Sequence, residues 1–131
     1  MKRDMDLIRE LMLWLESQDL RPGMVRYLSA YDGDLTLDGY TPEQIDGHLE
    51  LISRSGFIVN GESRPMRGIA YMGLEWIGHD FVDSVRDPDV WRATKNVVQK
   101  AKGFSVDLIV DIAKGVLKKK IFELSGIEIG I

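Results

Sequence analysis

Apolar residues at three- and four-residue intervals mark the first segment of the chain. They fall on one face of a helix that Asp4 can cap, and they are Ile8, Leu11, Met12 and Leu15. Arg21-Pro22-Gly23 cannot continue such a helix. The pattern therefore predicts an amphipathic helix from about Asp4 to near Ser17.

A turn signal lies a little further along the chain. Asp32-Gly33 stands between two short apolar segments, residues 24–28 and 35–37. Glycine supplies the positive φ that a tight hairpin turn needs. We therefore expect a short hairpin here.

The clearest helix start surrounds Pro42. Thr41 can cap the helix, Pro42 takes the first position, where its missing N–H costs nothing, and Gln44 can close a capping box. Gly56 can end the same helix in the left-handed conformation. We expect a helix from Pro42 to Ser55.

Two apolar segments joined by a loop come next. Phe57-Ile58-Val59 and residues 69–74 have strand-like composition, and the loop between them begins with Asn60-Gly61. The order of elements predicts an α+β, mainly helical fold with a winged-helix-like core. That core is a helix, a short hairpin, a second helix and a two-stranded wing.

Periodicity then predicts two helices. The first runs from about Trp76 to Val85 and buries Ile77, Phe81 and Val85. Asp87-Pro88 opens the second, which Gly103 ends. Its common face carries Val90, Trp91, Thr94, Val97, Val98 and Ala101.

A last helix completes the expected fold. Ser105 can cap it, and it should run to about Leu124 before Gly126. Residues 127–131 alternate in polarity, as in either a docked extended segment or a frayed end. We expect one structural unit, with a winged-helix-like domain at 1–87 and a helical extension at 88–131.

Composition narrows the function more by exclusion than by assignment. The 131 residues include no cysteine, so disulfides, thiolate metal sites and cysteine nucleophiles are impossible. No phosphate-binding loop, nucleophile elbow or zinc-binding helix motif is present. We expect a cytoplasmic protein that is not an enzyme, needs no cofactor or metal, and has no membrane span.

The net charge of −4 conceals an uneven distribution. Residues 1–90 carry nine Lys and Arg against seventeen Asp and Glu, a net of −8. Residues 91–131 carry eight against four, a net of +4. Since positive charge sets most of the affinity for nucleic acid, the N-terminal part is poorly suited to binding it.

Three blocks of residues resemble a known family. They are Met1-Lys2-Arg3-Asp4-Met5-Asp6-Leu7-Ile8-Arg9, the stretch from Gly39-Tyr40 through His48-Leu49-Glu50-Leu51-Ile52 to Ser55-Gly56-Phe57-Ile58, and Leu74-Glu75-Trp76-Ile77-Gly78-His79-Asp80-Phe81-Val82-Asp83 with Arg86-Asp87. They resemble domain of unknown function 2513, an uncharacterised bacterial and prophage family, over about the first two thirds of the chain. The resemblance implies a helix-turn-helix-like regulator in phage or mobile-element contexts, and it supplies no activity that could be carried over to this chain. Similar sequences usually have Thr and Glu where this chain has Glu75 and Ile77.

The residues that could contact nucleic acid form two groups. Gln44, His48 and Arg54 lie on the predicted second helix, and Arg64 and Arg67 lie in the wing. Against DNA binding, the same helix carries three acids, Glu43, Asp46 and Glu50, and no amphipathic helix precedes it between Leu28 and Tyr40. We therefore favour protein binding and keep a DNA-binding winged-helix regulator as the alternative.

The two histidines permit a metal site only with added carboxylates such as Asp80 or Asp83. His48 and His79 are too few for a complete site, and their spacing matches no metal motif. A hydrogen-bonded structural role is the expectation for each.

The last helix has a wider apolar face than one neighbour would bury. A dimer interface formed by Ile109, Ile112, Val116, Leu117 and Ile121 is one interpretation, and packing within the chain is the other. Lys118, Lys119 and Lys120 could be solvated, complement the helix dipole, or contact an acidic partner. We predict a homodimeric, non-enzymatic regulatory or protein-interaction protein of bacterial or prophage origin.

Overall fold

The computed structural model describes residues 1–33, 35–101 and 105–126. Within these ranges it contains five α-helices and a two-stranded antiparallel sheet, which confirms the predicted α+β, mainly helical class. The elements are α1 (Met5–Glu16), β1 (Arg26–Leu28), a 3-10 turn (Ala30–Asp32), α2 (Pro42–Arg54), β2 (Ile69–Tyr71), α3 (Trp76–Val85), α4 (Pro88–Ala101) and α5 (Val106–Ser125). No helix in this described part is both long and apolar enough to cross a membrane.

The chain forms two compact units, residues 1–80 and 81–131. The first holds α1, the sheet and α2, and the second holds α4 and α5. The boundary between them falls inside α3. The division after residue 87 stays a prediction.

Helix α1 begins where the sequence places it. Asp4 Oδ1 accepts hydrogen bonds from the amides of Asp6 (2.9 Å) and Leu7 (3.2 Å), which satisfies two of the free N–H groups of the first turn. The apolar face is buried through Met5, Leu7, Ile8, Leu11, Met12 and Leu15. The Tyr71 hydroxyl donates to the Leu15 carbonyl (2.8 Å) and so ties β2 to this helix.

The expected hairpin between residues 24–28 and 35–37 is wrong. Strand β1 pairs instead with β2, in the register Arg26↔Tyr71, Tyr27↔Ala70 and Leu28↔Ile69. Asp32-Gly33 ends a 3-10 turn in which the Ser29 hydroxyl accepts from the Tyr31 amide (3.2 Å) and Gly33 adopts φ 87°. This turn leads the chain away from β1 rather than back along it.

Helix α2 confirms its sequence signals almost residue by residue. Gln44 N donates to Thr41 Oγ1 (3.2 Å), and Thr41 N donates to Gln44 Oε1 (2.8 Å), which is the complete capping box. Gly56 follows the helix with φ 87°. Ile45, His48, Leu49 and Ile52 are its buried residues.

The segment from Ile69 to Glu75 pairs with two partners, first with β1 through β2 and then with residues 57–59. After β2, the Met72 amide donates to Val59 O and the Val59 amide to Gly73 O, both at 2.8 Å, and Glu75 N donates to Phe57 O (2.8 Å). Residues 57–59 therefore pair with the segment returning from the loop, as predicted, but through the isolated antiparallel bridge Ile58↔Leu74 rather than as a strand. Gly68 precedes β2, and a Cβ there would lie 1.9 Å from Leu28 O, so only glycine permits this approach.

The second unit is a helix pair. Asp87 Oδ1 caps α4 by accepting from the amides of Asp89 (2.8 Å) and Val90 (3.1 Å), and Lys120 of α5 donates to Asp87 Oδ2. This hydrogen bond lowers the pKa of Asp87 and raises the pKa of Lys120. Helix α4 buries Val90, Trp91, Thr94 and Val98, and α5 buries Ile109 and Ala113.

Two residues expected in the core are on the surface. Ile77 is 54% exposed and Val97 is 46% exposed, because each lies at the edge of its helix's apolar face rather than at its centre. Phe81, Val85, Val90, Trp91, Thr94 and Val98 are buried as predicted. Three parts of the prediction lie outside the described residues. They are the burial of the Ala101 side chain, the helix end at Gly103, and residues 127–131.

Candidate functional site

A groove of about 420 Å³ runs between α2 and the loop formed by residues 60–68. We call it the α2–loop groove. Helix α2 contributes Glu43, Asp46, Glu50 and Arg54, and the loop contributes Arg64, Met66 and Arg67. It is the place in the first unit where the predicted arginines of the helix and of the loop come together.

Charge in this groove is balanced. Three arginines (Arg54, Arg64 and Arg67) are matched by three acids (Glu43, Asp46 and Glu50). A phosphate backbone would gain from the arginines and lose to the acids over the same surface. The groove suits a partner that itself carries both signs of charge.

Asp46 also has a structural task in the groove. Its carboxylate accepts from the Ser29 hydroxyl (2.6 Å) and from the Ala30 amide (2.7 Å), which fixes the 3-10 turn against α2. That turn presents Tyr31 at the groove, where the Arg67 guanidinium lies 5.5 Å from the ring centroid. Sequence reasoning missed Tyr31 because no local pattern places a turn residue beside a loop arginine 36 positions away.

The loop side of the groove is held to the end of α2. Asn60 Nδ2 donates to the backbone carbonyl (2.9 Å) and hydroxyl (3.0 Å) of Ser53, and Asn60 Oδ1 accepts from the Glu62 amide (2.9 Å). Glu62 adopts φ 60°, which is uncommon outside glycine and marks a sharply turned loop. The loop arginines therefore project from an anchored backbone.

His48 is not available to a partner, which corrects its inclusion among the nucleic-acid contacts. It is 2% exposed, its Nε2 accepts from the Asp4 amide (2.9 Å), and its Nδ1 donates to the Gln44 carbonyl (2.8 Å). The ring thus joins the start of α1 to α2 in the hydrogen-bonded structural role that the sequence suggested. Gln44 is exposed, although its side-chain oxygen belongs to the capping box.

A second opening lies near the N-terminus, beside Met1, Lys2, Tyr40 and Gln44. The Tyr40 hydroxyl donates to Asp4 Oδ2 (3.1 Å), and burial, followed by this hydrogen bond, raises the pKa of Tyr40 to about 12. A phenol held protonated in this way is neither a base nor a nucleophile at neutral pH.

His79 is exposed on α3. Among residues 1–33, 35–101 and 105–126, no cluster of three or more histidine and carboxylate side chains could hold a metal ion. The sequence-based proposal of extra ligands from Asp80 or Asp83 gains no support from this geometry.

Two exposed apolar side chains in the first unit escaped the sequence analysis. Met66, at the groove, is fully exposed, and Trp76, the first residue of α3, is 89% exposed. Periodicity cannot single out such residues, since Met66 lies in a loop and Trp76 at a helix start. Exposed Met and Trp are typical of protein-binding surfaces.

The candidate interface residues of α5 occupy different environments. Ile109 is buried inside the second unit, which leaves it no outward surface and corrects its place in that set. Ile112, Val116 and Leu117 are half-buried, and Ile121 is 37% exposed. Leu108 and Phe122, which the sequence analysis did not name, are more exposed than Ile121.

Comparison with known proteins relates the chain to others without an assigned activity. The family model described as "Hypothetical protein (DUF2513)" matches residues 2–105, which confirms the resemblance seen in the three sequence blocks. An "Uncharacterized protein" of Haemophilus influenzae is 30% identical over 125 residues, covering 91% of this chain and 98% of that protein. No solved structure matches the chain.

Proposed function

Because the chain belongs to DUF2513, a family described only as hypothetical proteins, we propose a function from its own surface: it is a non-enzymatic, regulatory interaction protein that binds another protein through the α2–loop groove. The observation that carries this proposal is the charge balance of a groove that also displays Met66 and Tyr31. Apolar anchors with mixed charge around them match the make-up of protein interfaces.

The element order supports a winged-helix-like first unit. Helix α1, strand β1, helix α2 and two paired segments flanking the 60–68 loop follow in the order of that fold, and β1 pairs with the segment that returns from the loop. In this comparison α2 takes the place of the recognition helix and the loop takes the place of the wing. The proposed bacterial or prophage origin and cytoplasmic location rest on the family resemblance and the cysteine-free sequence alone.

Site-specific crosslinking tests the protein-binding proposal. A photoreactive residue at Met66 should give a discrete protein adduct in cells that carry the natural gene. R67E should remove that adduct, and the same probe at Asp38, an exposed position that does not line the groove, serves as the matched control. Equal adducts at both positions, or none at Met66, would contradict the proposal.

DNA binding is the second candidate, and the convergence of Arg54, Arg64 and Arg67 favours it. Fluorescence anisotropy with duplex DNA across a salt series decides between the two. A salt-sensitive complex whose slope against log salt falls by about 1 in each of R64A and R67A would support DNA. Absence of binding at low salt would reject it.

Self-association is the third part of the proposal. The outward apolar residues of α5 support a homodimer, because a second copy could bury side chains such as Phe122, which is 46% exposed. Light scattering after size exclusion should show a mass that rises with loading concentration. A constant monomer mass would contradict it.

A further inference from the structure

One line of α5 faces away from the side that packs in the second unit. Leu108, Gly115 and Phe122 are seven residues apart, so they lie nearly above one another along the helix. Ile109 and Ala113, the buried residues of α5, lie on another face. Leu108 is 38% exposed, Phe122 is 46% exposed, and Gly115 between them is exposed.

Gly115 has no explanation within the described chain. A glycine in the middle of a 20-residue helix weakens it relative to alanine, and Gly115 does not have positive φ. Apart from its chain neighbours and the nearby backbone of its own helix, no described residue has an atom within 4 Å of a Cβ built there, so no packing neighbour in these ranges requires its absence. A missing Cβ on an outer helix face lets a second helix axis come close.

The charges beside this line differ between the two halves of the helix. Within α5, Asp107, Asp111 and Lys114 precede Gly115 and give a net charge of −1, whereas Lys118, Lys119, Lys120 and Glu123 follow it and give a net charge of +2. An antiparallel second copy would set the acidic half of one helix against the basic half of the other. A parallel copy would set like charges together.

From these observations we infer that α5 crosses a second copy of itself, antiparallel, with the two-fold axis at Gly115. The inference rests on the self-association proposed above and names its surface. Residues equally far before and after Gly115 then meet, so Leu108 packs on Phe122 of the second copy and Asp111 pairs with Lys119 of the second copy. Each contact occurs twice because the interface is symmetric.

Charge reversal tests the pairing. Sedimentation velocity of the full chain from about 1 µM to about 1 mM should show a reversible dimer, which D111K and K119D each weaken at least tenfold. The double variant D111K/K119D should restore it. Asp111 and Lys119 are eight residues apart, about 12 Å along one helix, so a restored pair within a single helix cannot cause that rescue.

A helix-stabilising change tests the crossing point. G115A should raise the thermal midpoint of dilute protein, because alanine favours the helix, and yet weaken the dimer. The matched control D38K changes an exposed loop charge of the first unit and should leave dimerisation unaltered. A dimer indifferent to G115A and to both single reversals would overturn the crossing and leave self-association standing. A monomer at every concentration would overturn both.

Discussion

The Tyr71 hydroxyl joins β2 to the end of α1, and its loss should be measurable in two ways. Y71F removes the hydrogen bond to Leu15 O and should lower the free energy of unfolding by about 1 kcal/mol at neutral pH, by urea titration. Burial, followed by the charge of Glu16, raises the pKa of Tyr71 from 10.0 to about 12.

The raised pKa of Tyr71 also fixes the sign of an alkaline effect. Its stabilising contribution is complete below pH 10, where both folded and unfolded chains hold the proton, and it declines toward pH 12 as only the unfolded chain ionises. The wild-type free energy of unfolding should fall by on the order of 2 kcal/mol over that window from Tyr71 alone. If Y71F loses as much as wild type over the same range, this account of Tyr71 is wrong.

His48 is the second residue whose role the structure makes testable. H48L leaves the part-buried Asp4 amide without its acceptor and should reduce the free energy of unfolding by about 1–3 kcal/mol. H79L changes the other histidine, which is exposed, and should shift stability by less than about 0.5 kcal/mol. Chemical denaturation of both variants gives the comparison, and equal effects would contradict the structural role of His48.

At the scale of elements, the Asp87–Lys120 pair links the cap of α4 to α5. D87N keeps a side-chain oxygen for the Asp89 and Val90 amides but loses the ion pair, and K120M loses the pair while leaving the cap. Both should lower the thermal midpoint. R92M, which breaks an exposed pair with Asp89, should have almost no effect.

The pH dependence of this pair follows from the two shifts. The lowered pKa of Asp87 gives stabilisation that is present above about pH 4 and lost as pH falls through the folded value. The raised pKa of Lys120 gives stabilisation that is present below its ordinary value of 10.5 and lost as pH rises through the folded value. Thermal scans should therefore show K120M converging on wild type in acid.

The helices were predictable here, whereas the partner of strand β1 was not. Helix α2 is specified by residues that are close in sequence to its two ends. Thr41 and Gln44 form the capping box at its start, and Gly56 adopts a positive φ just after its end. Strand β1 finds its partner at Ile69–Tyr71, and a local turn signal at Asp32-Gly33 carries no information about a segment so far away. The sequence predicts a hairpin because Asp32-Gly33 has the residue types of a turn. The strand that pairs with β1, however, lies far along the chain.

In the candidate site too, the sequence identifies individual residues but not the contacts between residues that are distant in the chain. Arg54, Arg64 and Arg67 were identified from their helix and loop, whereas their convergence with Tyr31 and Asp46 depends on tertiary packing. His48 was misassigned to a partner because its position near the edge of the α2 face does not reveal whether an amide from α1 meets it. Side-chain type and spacing identify candidate binding residues. Only the tertiary packing shows which of these residues are buried and which are exposed to a partner.

At the scale of the whole molecule, the two candidate contact surfaces lie in parts of the chain that carry opposite net charge. The groove arginines lie in the part that carries a net −8, and the outward face of α5 lies in the part that carries a net +4. A nucleic-acid partner would have to reach the groove against that acidic surround. Two protein contacts, one at the groove and one between copies, fit both halves of the chain.

Self-association should also appear in the thermal stability of the whole molecule. Since only folded chains dimerise, each tenfold rise in protein concentration above the dissociation constant adds about 0.7 kcal/mol per chain to the free energy of unfolding. For 131 residues this should raise the melting midpoint by about 2 °C per tenfold step, measured by differential scanning calorimetry. D111K, whose dimer should be at least tenfold weaker, should begin this rise only at a correspondingly higher concentration, and a wild-type midpoint independent of concentration would show that folding is not coupled to dimer formation.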